Sequence, residues 1–142
     1  RMANEARVFA EGPDNCLVRS FTVADGTAAT LGALFVDGGA DRTAVAHTAA
    51  VKKAVLGFAT MSKEASDART QIGLQRTGVV DAIADGYIET GDVVIAGQTT
   101  ANRVQALSSG YISVYSFSFQ VLGRALEHAT DGNRVKIALA LG

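Results

Sequence analysis

The stretch Arg134-Val-Lys-Ile-Ala-Leu-Ala-Leu141 carries a large aliphatic residue at every second position. The intervening positions hold Arg, Lys and Ala. A period of two matches a β-strand, in which successive side chains point to opposite faces of the sheet. The alternation therefore predicts a C-terminal strand with one buried face.

Upstream of this strand, the chain is built of short apolar runs separated by residues that favour turns, such as Asp25-Gly26, Asp85-Gly86 and Asp131-Gly132-Asn133. Short strands at this spacing indicate a mostly β fold, either a small β-barrel or a sandwich. Residues Thr43–Lys53 fit a helix by their alanine content and a strand by their neighbours. The predicted strands are Leu17–Val23, Leu31–Val36, Ala54–Thr60, Gln71–Leu74, Val79–Ile83, Asp92–Ala96, Arg103–Leu107 and a long aromatic strand or hairpin arm over Tyr111–Val121.

A weak internal repeat divides the chain. Val55-Leu-Gly-x-Ala59 returns as Val121-Leu-Gly-x-Ala125, and each copy is followed by an Arg and two spaced aliphatic residues. Each copy is also preceded by a Gly and an apolar strand. The pattern predicts a pseudo-duplicated β architecture with halves near 17–80 and 84–142, forming one β-rich domain over 17–142. An extended N-terminal arm over residues 1–16 precedes it.

Composition excludes several function classes. The 142 residues carry 13 Lys+Arg against 14 Asp+Glu, and no basic run is present that could neutralise phosphates, so no direct contact with nucleic acid is expected. The apolar runs are shorter than the roughly 18 residues that a membrane-spanning helix needs. Aromatic residues make up only 6% of the chain and Trp is absent. A core of such small side chains favours stabilisation by oligomer formation.

The sequence contains no convincing catalytic or metal-binding pattern. Cys16 and His47 could form a thiolate pair, but neither has the local sequence context of a nucleophile and its base. His128 and the acidic turns around Asp37 and Asp131 match no ligand spacing. We therefore expect a protein that is not an enzyme and that holds no cofactor or metal.

Several segments together resemble small bacteriophage head decoration (cement) proteins over about residues 30–142. In that family a Gly-acid-apolar strand, a Leu/Ile-Gly-x-Ala strand and a final basic-apolar strand recur. The matching segments here are Asp92-Val-Val-Ile-Ala-Gly97 after Thr90-Gly91, Asn102-Arg-Val104, Val121-Leu-Gly-Arg-Ala125 and Asn133-Arg-Val-Lys-Ile-Ala-Leu139. The resemblance implies a subunit without an active site, typically a homotrimer, that is made in the host cytoplasm and clamps the major capsid protein on the outer capsid surface of the virion against internal DNA pressure.

Two sets of residues are candidates for these contacts. The N-terminal segment lacks strand or helix periodicity, so it is either a disordered tail or an arm that adds a strand to a partner's sheet, with Phe9 as its apolar anchor. Its candidate capsid contacts are Glu5, Arg7, Phe9, Glu11 and Pro13. The candidate oligomer contacts are Tyr111, Tyr115, Phe117 and Phe119. The same aromatic face could instead line the pocket of a small-ligand-binding β-barrel, which is the alternative function, and a hydrolase using Cys16 or an acid pair is a third.

Overall fold

A computed structural model of the protein describes residues 4–12, 16–48, 53–107 and 121–141. All helix and strand structure within these ranges is β, which confirms the mostly β prediction. Its strands are β1 (Val18–Thr22), β2 (Leu34–Asp37), β3 (Ala44–Ala46), β4 (Val55–Ala59), β5 (Gln71–Gln75), β6 (Thr77–Ala84), β7 (Val93–Ala96), β8 (Arg103–Ala106), β9 (Val121–Ala125) and β10 (Arg134–Ala140). The question left open at Thr43–Lys53 is settled for its first part, because β3 lies there and pairs with β2.

The strands form two groups of five. The first group is an antiparallel sheet in the order β1-β5-β4-β2-β3, and the second is a closed barrel in the order β10-β6-β8-β7-β9. Every pairing between these strands is antiparallel except that of β6 with β8, which is parallel and closes the barrel. The predicted small barrel is therefore confirmed. The C-terminal strand β10 pairs with β6 on one side and with β9 on the other.

The two groups repeat the same pairing scheme residue by residue. By their pairing partners, strands β1 to β5 correspond in order to strands β6 to β10. Both groups also contain a register shift at the same point, between Phe35 and Val36 in one and between Val94 and Ile95 in the other. Matching partner pairs are Phe35↔Gly57 with Val94↔Gly123, Ala59↔Leu74 with Ala125↔Ile137, and Phe21↔Ile72 with Ala82↔Val135. The duplication is thus one of strand register, and its second half begins with β6 at Thr77 and not near residue 84 as predicted, because β6 pairs with β10 as β1 pairs with β5.

The glycine of each Val-Leu-Gly-x-Ala segment is required by the close approach of a neighbouring strand. Gly57 has φ +150° and a Cβ built there would lie 2.5 Å from the Gln75 carbonyl oxygen. Gly123 has φ +158° and its Cβ would collide with the carbonyl oxygen of Ala138. Any other residue at these positions would push β4 away from β5 or β9 away from β10.

The two groups differ in how they close. In the barrel, β6 and β8 pair over two residues, and Asp85 then donates its backbone N–H to the Val104 carbonyl at 2.7 Å. The Asp85 carboxylate also accepts a hydrogen bond from the Thr99 hydroxyl at 2.5 Å. In the first group, β1 and β3 meet only at the bridge between Thr22 and Thr43. Ala24 occupies the position of Asp85 there and has no carboxylate for such a hydrogen bond, and this sheet is open.

Each group encloses its own apolar residues. One cluster, with Phe21, Phe35 and Leu74, lies inside the first sheet. The other fills the barrel and also includes Leu34 and Phe58, which reach it from the opposite face of the first sheet. The barrel cluster therefore contains residues of both halves, so the outer face of the first sheet is buried against the barrel.

A buried histidine joins the halves at the end of β3. His47 is 2% exposed, its Nδ1 accepts a hydrogen bond from the Asn102 backbone N–H at 3.1 Å, and its Nε2 lies 3.1 Å from the Gly97 carbonyl oxygen. Because a carbonyl can only accept, Nε2 carries the proton. The Asn102 side chain then accepts from the Leu34 N–H at 3.0 Å, which ties β2 to the hairpin of β7 and β8.

Candidate functional site

Residues 4–12 lie along the outer edge of β6. Arg7 and Asp81 exchange backbone hydrogen bonds of 2.9 Å in both directions, and Ala10 donates to the Val79 carbonyl at 3.0 Å. Ala6 donates to the Gly32 carbonyl at 2.9 Å and is buried. The segment therefore docks on the barrel at the edge that β8 leaves open, through one antiparallel bridge between Arg7 and Asp81 followed by a turn.

Side chains of β5 and β10 hold residues 4–12 in place. The Phe9 N–H donates to Oε1 of Gln75, which is fully buried, at 2.9 Å. Arg134 donates to the Asp81 carbonyl at 2.8 Å and to the Glu5 carbonyl at 3.3 Å. A cavity of about 360 Å³ lies beside these groups. Arg7, whose side chain is 71% exposed, is 3.9 Å from the Asp81 carboxylate and contributes little by charge.

These contacts correct the prediction of an arm that extends from the domain. The segment does bridge to the edge of a strand, but that strand is β6 of the same chain. The reason is that β6 presents unpaired backbone groups at Val79 and Asp81 directly beside it, and pairing within the chain needs no partner. Glu5 is consequently buried, Phe9 is half-buried, and Arg7 and Glu11 remain exposed. Pro13 lies outside the described residues.

The predicted oligomer contacts Tyr111, Tyr115, Phe117 and Phe119 all lie outside the described residues as well. Their role as oligomer contacts remains a prediction.

The first half has an edge equivalent to the one that residues 4–12 cover. Ser20 lies opposite Gly73 as Asp81 lies opposite Lys136, and Val18 corresponds in the same way to Val79. Asp81 is only 9% exposed under the N-terminal segment, whereas Ser20 is exposed and Val18 is 42% exposed. Of the two equivalent edges, the one on β1 is therefore bare within the described part of the chain.

Three arginines gather at this bare edge. The guanidinium carbons of Arg42 and Arg76 lie 5.3 Å and 5.7 Å from the centroid of the Phe21 ring, and Arg42 donates to the Ser20 carbonyl at 2.7 Å. Burial lowers the pKa of Arg76, and the nearby positive charges of Arg19 and Arg42 lower it further. Sequence reasoning missed this cluster because its members come from β1, from the β2–β3 turn and from the residue after β5, and no local pattern connects them.

The residues considered for catalysis have separate structural roles. Cys16 is partly exposed, its Sγ lies 3.4 Å from the Gly12 carbonyl oxygen, and it accepts a hydrogen bond from Gln75 Nε2 at 3.5 Å. His47 is held by Gly97 and Asn102 instead. The Asp37 carboxylate accepts a hydrogen bond from the Gly39 N–H at 3.1 Å, as in a turn. Across the described ranges, no three His, Cys, Asp or Glu side chains are grouped so that they could hold a metal ion.

None of the residues that the structure describes forms a helix with the length and apolar character needed to cross a membrane.

Comparisons with known proteins give a likeness of fold. No protein-family model matches the chain, and no curated protein matches it at a significant level. Among solved structures, the chain is similar to the N base of head fiber gp8.5 in bacteriophage phi29, with a TM-score of 0.52 and 15% sequence identity. The match covers 89% of this chain and 96% of that chain. At this identity the finding establishes one thing, that the duplicated β fold described above is shared with the base of a phage head fiber.

Proposed function

We propose that this chain is a structural virion protein that binds the outer surface of an assembled phage capsid and stabilises it against internal DNA pressure. The observation that carries the proposal is the shared fold with a phage head fiber base, which extends over nearly the whole of both chains. The resemblance of the segments in residues 30–142 to head decoration proteins points to the same class of protein from independent features. The partner is the major capsid protein, and the bound form is a homotrimer.

The character of the described surface fits this function. The side chains considered for catalysis have structural roles within the fold. In general, exposed strand edges such as that of β1 can form contacts between subunits. The alternative of a small-ligand-binding barrel receives less support. The barrel interior is filled by its own side chains, including Val94, Val104 and Ile137, each 0% exposed. A barrel packed in this way has no room for a ligand in its interior.

The proposed stabilisation follows from mass action. A protein that binds the assembled shell and not its free subunits stabilises the shell by RT ln(1 + [L]/Kd) per site, about 2.7 kcal/mol at a hundredfold excess over Kd. The icosahedral shell offers many such sites, and a trimer that bridges neighbouring subunits binds through several contacts at once.

Co-sedimentation tests the binding step. Purified chain is mixed with DNA-filled heads that lack it, from the phage whose genome encodes the chain, and in parallel with free major capsid protein. We expect the chain to sediment with the heads and to leave the free subunits unbound. A chain that stays in the supernatant with the heads would contradict the proposal.

Thermal release of DNA tests the stabilising step separately. Heads that lack the chain should release DNA at a lower temperature than heads to which it has been added back. If the two release DNA at the same temperature although the chain is bound, the protein attaches to the head without stabilising it.

A further inference from the structure

The duplicated fold provides an internal comparison for the bare edge of β1. In the barrel half, the equivalent edge of β6 is covered by residues 4–12, which pair antiparallel through Arg7 and Asp81. The counterpart of Asp81 is Ser20, whose backbone groups point away from β5 in the same way. The edge of β1 is therefore shaped to receive one short antiparallel strand.

The backbone groups at this edge are only partly used. The Thr22 N–H donates to the Arg42 carbonyl at the bridge between β1 and β3. The Ser20 carbonyl accepts from the Arg42 guanidinium, which takes the place that the Arg7 N–H takes at Asp81. A side chain in this position can move aside for a backbone donor at small cost, because the guanidinium is exposed and can bind an alternative acceptor.

Charge indicates what kind of strand would fit. Next to the Arg7–Asp81 pair, Val8 is partly buried and packs against the barrel cluster that contains the fully buried Val80. The counterpart of Val80 in β1 is Arg19, because Val80 lies opposite Ile137 as Arg19 lies opposite Leu74. An apolar side chain is therefore suited to the covered edge, and an acidic side chain is suited to the bare one.

The arginines around Arg19 have no competing acid. Among the described residues, none of Arg19, Arg42 and Arg76 forms an ion pair with a carboxylate, whereas Arg69 and Arg103 pair with Asp67 and Asp131. Three guanidinium groups close together repel one another, and a carboxylate from outside relieves the repulsion.

We propose that the β1 edge, Val18–Ser20, binds an extended segment of a partner protein as an additional antiparallel strand, and that this segment carries a carboxylate opposite Arg19. The edge supplies main-chain hydrogen bonds, and the three arginines select an acidic strand over a basic one. A nucleic acid would also be attracted by the arginines, but it could not pair with the backbone of β1. The site does not depend on the partner being a capsid protein.

Two synthetic peptides test the proposal directly. Both follow residues 5–10 with Thr in place of Arg7, and they differ only where Val8 stands: Glu-Ala-Thr-Glu-Phe-Ala and Glu-Ala-Thr-Lys-Phe-Ala. Each peptide is added to the full chain while the backbone amides are monitored by NMR. The Glu peptide should change the chemical shifts of the Val18 and Ser20 amides. We expect the Glu peptide to bind about tenfold more tightly than the Lys peptide at low salt, because Arg19 attracts the Glu side chain and repels the Lys side chain.

Two pairs of variants separate the charge from the backbone contribution. Arg19→Glu should weaken the Glu peptide about tenfold, while Arg124→Glu, at an exposed position of β9, should leave its affinity unchanged. Ser20→Pro removes the outward N–H and should abolish the shifts, while Ser20→Ala keeps the N–H and should retain them. Thermal unfolding of each variant verifies that it is folded.

Four results of the binding experiments would overturn the proposal. They are equal binding of both peptides, absence of binding by the Glu peptide, binding that Arg19→Glu and Ser20→Pro leave unchanged, and stronger binding of a single-stranded DNA dodecamer at the same arginines. Sedimentation of the chain alone covers the remaining occupant: if self-association is lost in Arg19→Glu, the edge binds a second copy and the proposal is wrong.

Discussion

Replacing Gly57 by Ala tests whether the two halves are built by the same close strand contact. The added Cβ would lie 2.5 Å from the Gln75 carbonyl oxygen and 3.1 Å from the Leu74 Cβ. Overpacking of this kind costs about 1–3 kcal/mol, and a positive φ costs an L-residue about 1–2 kcal/mol. We therefore expect Gly57→Ala to lower the free energy of unfolding by about 2–5 kcal/mol. Gly123→Ala should cost at least as much, because its Cβ would approach the Ala138 carbonyl oxygen more closely still.

Gly132→Ala is the matched control for this experiment. Gly132 also has a positive φ, +81°, but a Cβ there would meet nothing within 4 Å. It should cost only the backbone term of about 1–2 kcal/mol, and the gain from a stiffer unfolded chain is common to all three variants. Urea unfolding monitored by circular dichroism measures the differences. Equal free energies of unfolding for Gly57→Ala and Gly132→Ala would mean that the neighbouring strand does not require glycine at the repeat positions.

Three further predictions concern the described contacts. Lys63, whose side chain is 0% exposed, donates to two backbone carbonyls and pairs with the Asp67 carboxylate at 3.1 Å, so Lys63→Met should lower the free energy of unfolding by about 3 kcal/mol or more in urea titration; a loss under about 1 kcal/mol would contradict it. Hydrogen bonds from the Arg69 backbone and from Lys63 lower the pKa of Asp67 in the folded state, so its contribution to stability is present above the unfolded pKa of about 4 and is lost as pH falls through the folded pKa. The stability difference between wild type and Asp67→Asn should accordingly be largest at neutral pH and shrink under acid, and a difference independent of pH would count against it. Deleting residues 2–12 should speed hydrogen exchange of the Asp81 amide by about tenfold or more, because its acceptor is the Arg7 carbonyl; exchange that stays slow would mean that the segment does not pair with β6.

The parts of the fold that the sequence predicts are those fixed by local pattern. The alternation in Arg134–Ala140 predicts β10 because one face of that strand is buried and the other is not. The repeated Val-Leu-Gly-x-Ala segments predict the duplication because each glycine meets a physical requirement that recurs in both halves.

The features that could not be predicted depend on contacts between distant segments. The docking of residues 4–12 leaves no periodic pattern in the sequence. Phe9 has φ +53°, so Ala10 and not Phe9 donates to the Val79 carbonyl, and the alternation expected of a strand is interrupted. The difference in closure also depends on contacts between distant segments, such as the hydrogen bond between Asp85 and Thr99, which has no counterpart at Ala24. The arginine cluster at the β1 edge depends on tertiary structure in the same way.

Electron cryomicroscopy of DNA-filled heads with and without the chain tests whether the protein attaches to the outside of a phage head. We expect the difference map to show density on the outer surface, repeated by the icosahedral symmetry and lying over junctions between major capsid subunits. A difference map without such density, or with the chain inside the shell, would contradict attachment to the outer surface.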